Sequence, residues 1–139
     1  VMNSMPYNKP VPVPDADTEP FWSACREGRL SVQCCSGCGA KRLPPERFCP
    51  KCHAAESEWR DVSGRGKVYS WIVVRHPVPG DVYAGGVPYV VALIDLAEGV
   101  RMASNIIDCD PDAVTAEMAV EVVFEAVTDD ITLPKFRPS

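Results

Sequence analysis

Four cysteines stand in two pairs of identical spacing, Cys35-Ser-Gly-Cys38 and Cys49-Pro-Lys-Cys52. A Cys-x-x-Cys turn directs two thiolates toward one point, and two such turns that face each other give the tetrahedral sulfur set that Zn²⁺ prefers. Gly37, Gly39 and Pro50 suit the tight turns that these pairs need. The spacing therefore predicts a zinc ribbon in which four thiolates hold one structural ion and leave no coordination position for water or substrate. The predicted ligands are Cys35, Cys38, Cys49 and Cys52.

Two other uses of paired cysteines fit the chain less well. A redox Cys-x-x-Cys needs only one pair near a βαβ pattern, and neither condition holds. Disulfides are not expected, because residues Val1 to Pro6 lack the basic region and the apolar run of a signal peptide. No stretch approaches the roughly 20 apolar residues of a membrane span. We therefore predict a cytoplasmic protein without membrane contact.

Charge is distributed unevenly along an otherwise ordinary composition of 46% hydrophobic and 24% charged residues. Residues 1–61 carry equal numbers of basic and acidic side chains, so residues 62–139 account for the whole net charge of −5. Within the first part, basic residues cluster around the cysteines. This basic cluster is either an ordinary solvated surface or a contact for phosphates or an acidic partner. Its members are Arg26, Arg29, Lys41, Arg42, Arg47 and Lys51.

Two elements are predicted before the cysteines. Residues 1–17 are rich in proline, which favours an extended arm that acts as a linker or wraps a neighbour. A short helix is predicted over residues 18–28, with Asp17 or Thr18 as its cap and Gly28 at its end. The helix presents two adjacent aromatic side chains, which pack in the core or contact a partner. These are Phe21 and Trp22.

The remainder of the chain has an all-β pattern. In the predicted strand Val120–Ala126, alternation places Val120, Val122, Phe124 and Ala126 inward. Five short strands and an irregular segment at 108–119 match an OB-type barrel, whose closure removes exposed strand edges. We thus predict an arm over 1–17, a helix plus zinc ribbon over 18–60, and an OB-fold over 61–139. The other predicted strands are Leu30–Gln33, Lys67–Arg75, Pro88–Asp95, Val100–Ile107 and Ile131–Leu133.

One loop of unusual composition follows the first barrel strand. Residues 77–88 contain the Gly and Pro of a loop, yet they also carry several apolar side chains. Loops often carry binding surfaces, and exposed apolar groups mark interfaces. We therefore predict that Val82 and Tyr83 contact a partner or an acyl chain.

Several motifs resemble those of a known family. In chain order they are Pro20-Phe-Trp22, Glu27-Gly-Arg-Leu30, Cys35-Ser-Gly-Cys38-Gly39, Leu43-Pro-Pro45, Cys49-Pro-Lys-Cys52, Gly64-Arg-Gly-Lys-Val-Tyr-Ser-Trp71, Pro88-Tyr-Val-Val91 and Leu133-Pro-Lys-Phe-Arg-Pro138. Together they resemble the zinc-ribbon/OB-fold acyl-CoA-associated proteins, formerly labelled domain of unknown function thirty-five. The resemblance implies a mainly β fold with an N-terminal helix, a rubredoxin-like ribbon and a C-terminal five-stranded OB barrel. Cys34 departs from the family pattern, in which a basic or polar residue is more common.

The resemblance also implies a role in lipid metabolism. Family members look like non-catalytic partners of thiolase-superfamily enzymes or MaoC-type hydratases, to which they bring stability and help with acyl-CoA transfer. A specific similarity is to the domain that joins a hydratase to a thiolase-like aldolase in bacterial steroid side-chain degradation. The expected partner is thus a thiolase-fold aldolase or thiolase, the ligand is an acyl-CoA, and the expected cofactor is one Zn²⁺. Expected contact residues are Phe21, Trp22, Arg26, Arg29, Lys41, Arg42, Val82 and Tyr83.

Catalysis by the chain itself is not expected. His53 and His76 are isolated in the sequence, and the acidic neighbours of Cys109 make it a poor nucleophile. A nucleic-acid-binding module is the alternative function, because zinc ribbons and OB-folds both serve that role. The barrel segment nevertheless carries the net charge of −5, whereas nucleic-acid binders need a basic groove.

Overall fold

A computed structural model describes residue 7 and residues 9–76 and 85–139. Their secondary structure is one helix and eight strands, with a 3₁₀ turn at Pro111–Ala113. The predicted fold class is confirmed: a short helix precedes a small ribbon sheet, and a closed five-stranded barrel follows. The elements are α1 (Glu19–Arg26), β1 (Leu30–Cys35), β2 (Lys41–Arg42), β3 (Ser57–Val62), β4 (Arg65–Val74), β5 (Tyr89–Leu96), β6 (Arg101–Ile106), β7 (Ala119–Ala126) and β8 (Thr132–Pro138).

The helix α1 is stabilised at its start by a group that the sequence prediction did not name. Thr18 occupies the N-cap position, but its side chain makes no capping hydrogen bond. Instead, the Asp15 carboxylate accepts hydrogen bonds from the backbone N–H groups of Asp17 and Thr18, each at 2.9 Å. Gly28 ends the helix as predicted, with a φ of +79° that glycine adopts without steric cost.

The ribbon is a three-stranded antiparallel sheet in the order β2-β1-β3. The central strand β1 is buried at all six positions, because β2 and β3 flank it and helix α1 packs against it. Leu30 and Val32 join the same apolar core as the barrel residues Val68 and Ile94. The ribbon and the barrel therefore share one core, while their division at residues 60 and 61 stays a prediction.

The barrel closes in the order β4-β5-β6-β8-β7. Its neighbours are antiparallel except β6 and β8, which run parallel and meet at Ile106 and Phe136. A bulge between Val68 and Ser70 bends the long strand β4 so that it pairs with both β5 and β7. This strand order, with one parallel pair, is the connectivity of an OB-type barrel.

Two details of the last strands differ from the sequence prediction. The final strand continues through the tail to Pro138, well beyond the predicted end at Leu133. Proline is tolerated there because β8 pairs along its length with β7 but meets β6 at only one residue pair. In β7, Val120 is buried as predicted, but Ala126 is exposed, because the end of the strand extends beyond the core.

Gly64 links the ribbon to the barrel at a position that excludes a side chain. Its φ is +80°, and an added Cβ would lie 3.2 Å from Val122 Cβ and closer still to Val122 Cγ1. Gly99 has a similar φ of +90°, but an added Cβ there would meet nothing within 4 Å. Both glycines thus have a positive φ that disfavours other residues, and they differ only in the packing around them.

We expect Gly64→Ala to destabilise the protein more than Gly99→Ala does. The backbone strain common to both changes costs about 1–2 kcal/mol, and overpacking against Val122 adds about 1–3 kcal/mol at Gly64. Urea-induced unfolding followed by circular dichroism measures the difference. Equal free energies of unfolding for the two variants would contradict the close packing described at Gly64.

Candidate functional site

The four cysteines predicted as metal ligands lie together at the tip of the ribbon. All four Sγ atoms lie within 4.8 Å of one another. Cys35 Sγ is 3.5 Å from Cys52 Sγ, and Cys38 Sγ is 3.7 Å from Cys49 Sγ. A tetrahedral ion with Zn–S bonds of about 2.3 Å places its sulfurs about 3.8 Å apart. The spacing of the donor atoms therefore fits a zinc ion.

Two equivalent turns aim these sulfurs. In the first turn, the backbone N–H of Gly37 donates to Cys35 Sγ at 3.3 Å. In the second, the N–H of Lys51 donates to Cys49 Sγ at 3.4 Å. Each pair therefore brings its own backbone donors, which favour the thiolate form that binds metal.

The hydrogen bonds within the cluster also give the thiols different pKa values. Hydrogen bonds from the backbone N–H groups of Cys52 and Lys51 lower the pKa of Cys49 to about 6. The pKa of Cys52 is raised to about 12, because hydrogen bonds shared with its cysteine neighbours outweigh the lowering effect of the Ala54 N–H. A divalent cation stabilises all four thiolates, so the cluster has the donor chemistry of a closed structural metal site.

The remaining cysteines have the environments of unreactive thiols. Burial raises the pKa of Cys25 to about 12. Burial and then the charges of Asp110 and Asp108 raise the pKa of Cys109. Cys34 is buried, and its Sγ lies 3.6 Å from the carbonyl oxygen of Gly39 rather than in the sulfur cluster.

The predicted aromatic pair lines an apolar groove. The rings of Phe21 and Trp22 meet edge to face, with centroids 4.9 Å apart. They border a cavity of about 460 Å³ between α1, the ribbon segment Leu43–Pro45 and the outer side of the barrel at Leu93. The groove thus combines surfaces from the helix, the ribbon and the barrel. Phe21 also packs against the apolar core, and contact of the aromatic pair with a partner stays a prediction.

The predicted basic cluster is smaller than the sequence suggests. Arg29 pairs with Asp61 at 2.7 Å and also with Glu27. Arg42 is only 9% exposed, and its Nη2 donates to the carbonyl oxygen of Glu46 at 3.0 Å. Arg42 thus contacts the loop after β2, while its Nε and Nη1 are buried without a hydrogen-bond partner among the described residues, and its role in ligand contact stays a prediction.

The other predicted contact residues are divided between the surface and the part of the chain that is not described. Lys41 is exposed on the ribbon, and Arg26 borders a second groove, of about 450 Å³, between α1 and residues 11–14 of the arm. Val82 and Tyr83 lie outside the described residues, so their proposed role stays a prediction.

One surface was missed by the sequence analysis. Tyr69, Ile72 and Leu93 are exposed on the outer side of β4 and β5. The sequence did contain a sign of this surface, because the segment from Tyr89 to Leu96 is apolar at almost every position and not only at alternate ones. Such a run is typical of a strand covered on both faces, whereas here one face is open in the isolated chain.

A general acid–base or nucleophilic site is not formed in the described part of the chain. His53 and His76 are exposed, and neither ring makes a hydrogen bond to a described residue. The cysteines outside the sulfur cluster have raised pKa values or are buried. Among the described helices, none combines the length and the apolar character needed to cross a bilayer.

Comparisons with known proteins agree with this architecture. A family model described as the ChsH2 rubredoxin-like zinc ribbon domain matches residues 22–58, and one described as the ChsH2 C-terminal OB-fold domain matches residues 59–125. Among solved structures, the chain is similar to a chain of the Ltp2-ChsH2(DUF35) aldolase, with a TM-score of 0.83 and 35% identity. That match covers 92% of this chain and 98% of the other.

Two curated relatives differ in length. The chain is 35% identical over 131 residues to a probable enoyl-CoA hydratase alpha subunit of Thermomonospora curvata, which is 94% of this chain but 40% of that protein. It is 42% identical over 97 residues to a DUF35 domain-containing scaffold protein of Methanocaldococcus jannaschii, which is 69% of this chain and 67% of that protein. The chain therefore spans well under half of the hydratase subunit and two thirds of the scaffold protein.

We expect the purified protein to contain one equivalent of zinc bound by Cys35, Cys38, Cys49 and Cys52. Cys38→Ser should reduce the zinc content and the soluble yield, because loss of a ligand unfolds a ribbon of this size. Cys109→Ser is the matched control and should change neither. Elemental analysis by mass spectrometry measures the metal. Less than about half an equivalent of metal in the wild-type protein would falsify the assignment.

Proposed function

Because the chain belongs to the DUF35 family of ChsH2-type zinc-ribbon and OB-fold proteins, we propose that it is a non-catalytic partner of an acyl-CoA-processing enzyme. The partner is a thiolase-fold aldolase or thiolase, and the chain acts as a subunit or as a domain beside it. The observation that carries this proposal is the match to 98% of a chain in the Ltp2-ChsH2(DUF35) aldolase structure, at a TM-score of 0.83.

The chemistry of the side chains supports a non-catalytic role. Four cysteine sulfurs within 4.8 Å complete a tetrahedral coordination sphere, which leaves no open position for Lewis-acid catalysis. Burial raises the pKa values of Cys25 and Cys109, so neither thiol is a ready nucleophile. The name of the archaeal relative, a scaffold protein, agrees with this role.

The ligand and the second partner are the finer parts of the proposal. A relative is described as a hydratase alpha subunit acting on enoyl-CoA, and the sequence motifs resemble the domain that links a MaoC-type hydratase to an aldolase. We infer that the chain helps to pass an acyl-CoA from such a hydratase to the thiolase-fold enzyme. A bulky acyl group, such as a steroid side-chain ester, is the substrate that the motif resemblance favours.

The nucleic-acid alternative gains no support from the described surface. OB-folds bind nucleic acid on the outer face of the strands that correspond here to β5 and β6. On that face Val91, Leu93 and Ala103 are uncharged, and Arg101 is already paired with Asp95 at 2.6 Å. A basic groove with free cations, which such binding needs, is not formed there.

We expect this chain to form a stable complex with a thiolase-fold enzyme of the same organism. Their co-expression followed by size-exclusion chromatography at micromolar concentration tests the proposal, because a stable complex elutes as one species containing both proteins. Separate elution of the two proteins, together with full activity of the enzyme alone, would show that the proposed function is wrong.

We expect the isolated chain to show no turnover of acyl-CoA substrates. Aldol cleavage, hydration and thiolysis are measured with the chain alone and with the reconstituted complex. A rate in the isolated chain that disappears in His53→Ala or His76→Ala would sink the non-catalytic role, because it would assign proton transfer to one of these imidazoles.

A further inference from the structure

The outer side of the sheet β4-β5-β6 carries three consecutive rows of side chains without a charge. Strand pairing sets the rows, and the residues between them, such as Val90 and Ile94, point into the core. We call these outward residues the uncharged face. Its members are Ser70, Ile72, Val74, Tyr89, Val91, Leu93, Ala103 and Asn105.

This face exposes more apolar surface than a solvated sheet normally does. An antiparallel sheet usually has one apolar face toward the core and one polar face toward water. Here Ile72 is 62% exposed and Leu93 is 37% exposed, and Tyr69 at the bulge beside them is 54% exposed. Apolar surface that is contiguous and depleted of charge is the composition of the centre of a protein interface.

Arg101, at the border of the uncharged face, is paired within the chain. Arg101 donates two hydrogen bonds to the Asp95 carboxylate, at 2.6 Å and 3.2 Å. Its guanidinium also lies 3.5 Å from the centre of the Tyr69 ring, and the hydrogen bond from Arg101 lowers the pKa of Asp95. Lys67, exposed on β4 opposite Asp95, lies at the same border, so the charged side chains here stand beside the three rows and not within them.

The uncharged face continues into the groove that contains the two aromatic residues of the helix. Leu93 and Ala103 belong to the face and also line that cavity of about 460 Å³, whose opposite wall includes Phe21, Trp22 and Pro45. A cavity of this size next to a flat apolar surface accommodates one large side chain, which is the arrangement of an interface hot spot.

The closed barrel limits how a partner can bind. Each barrel strand has two neighbours, although β6 meets β8 at one residue pair and β4 meets β7 only at Arg65–Lys67. The uncharged face is made of side chains and not of these strand edges, so a partner that covers the face binds it through side-chain contacts, as a folded surface does.

We propose that the uncharged face and the adjoining groove dock the thiolase-fold enzyme, which contributes an uncharged surface with one large aromatic or aliphatic side chain inserted into the groove. This inference rests on the proposed function and adds the location and the chemistry of the contact. The Arg101–Asp95 pair lies at its rim and the Ile72 and Leu93 side chains at its centre.

The test measures by isothermal titration calorimetry the affinity of the thiolase-fold enzyme for variants of the chain, with enzyme and variants expressed and purified separately. Ile72→Asp and Leu93→Asp each place a charge at the centre of the face, and Ala103→Trp fills the groove without adding a charge. Ala126→Asp is the control, because Ala126 is exposed on β7, which pairs with neither β5 nor β6. Zinc content and melting temperature confirm that each variant is folded.

We expect the three variants on the face or the groove to weaken binding at least about tenfold, as substitutions at interface centres do, and the control to bind like the wild type. Wild-type affinity in all three would overturn the inference while leaving the complex intact. If the variants instead lose only acyl-CoA binding, or dissociate a dimer of this chain, the face has another occupant and the inference is wrong. If the wild-type chain does not bind the enzyme, the proposed function fails and the inference fails with it.

Discussion

The burial of strand β1 is the constraint on which the rest of the structure depends. All six of its residues are buried, and they connect two different kinds of stabilisation. At one end Leu30 and Val32 pack in the core of the barrel, and at the other end Cys35 belongs to the sulfur cluster. The ribbon is too small to bury a core of its own, so this strand lets it share the barrel's core while the metal orders the tip.

Much of the fold could be predicted from the sequence because the signals are local. Alternation and β-branched residues located the first four barrel strands, and Gly28 marked the end of the helix. The predicted last strand ended too early, at Leu133, because Pro134 and Pro138 interrupt a strand pattern when the pairing partners are unknown. Only the pairing with β7 shows that they belong to a strand whose Phe136 is completely buried.

The candidate site could be predicted only where spacing alone defines it. Two Cys-x-x-Cys pairs place four sulfurs together whatever the rest of the chain does. Whether a basic side chain is free or paired depends on residues that are distant in the sequence. Arg29, for example, pairs with Asp61, which lies 32 positions away. The uncharged face is harder still to predict. An apolar strand that is covered by its own chain has the same sequence pattern as one that is covered by another chain.

The shared core has a thermodynamic consequence for the surface of the barrel. Because β1 belongs to both halves, metal ligation and barrel folding are linked equilibria, and each shifts the other by mass action. A zinc ion held by the four thiolates would therefore stabilise the folded barrel, including its outer sheet. The ion would contribute in this way to the preorganisation of the proposed binding surface without touching it, and association with the proposed partner would in turn raise the apparent affinity for the ion.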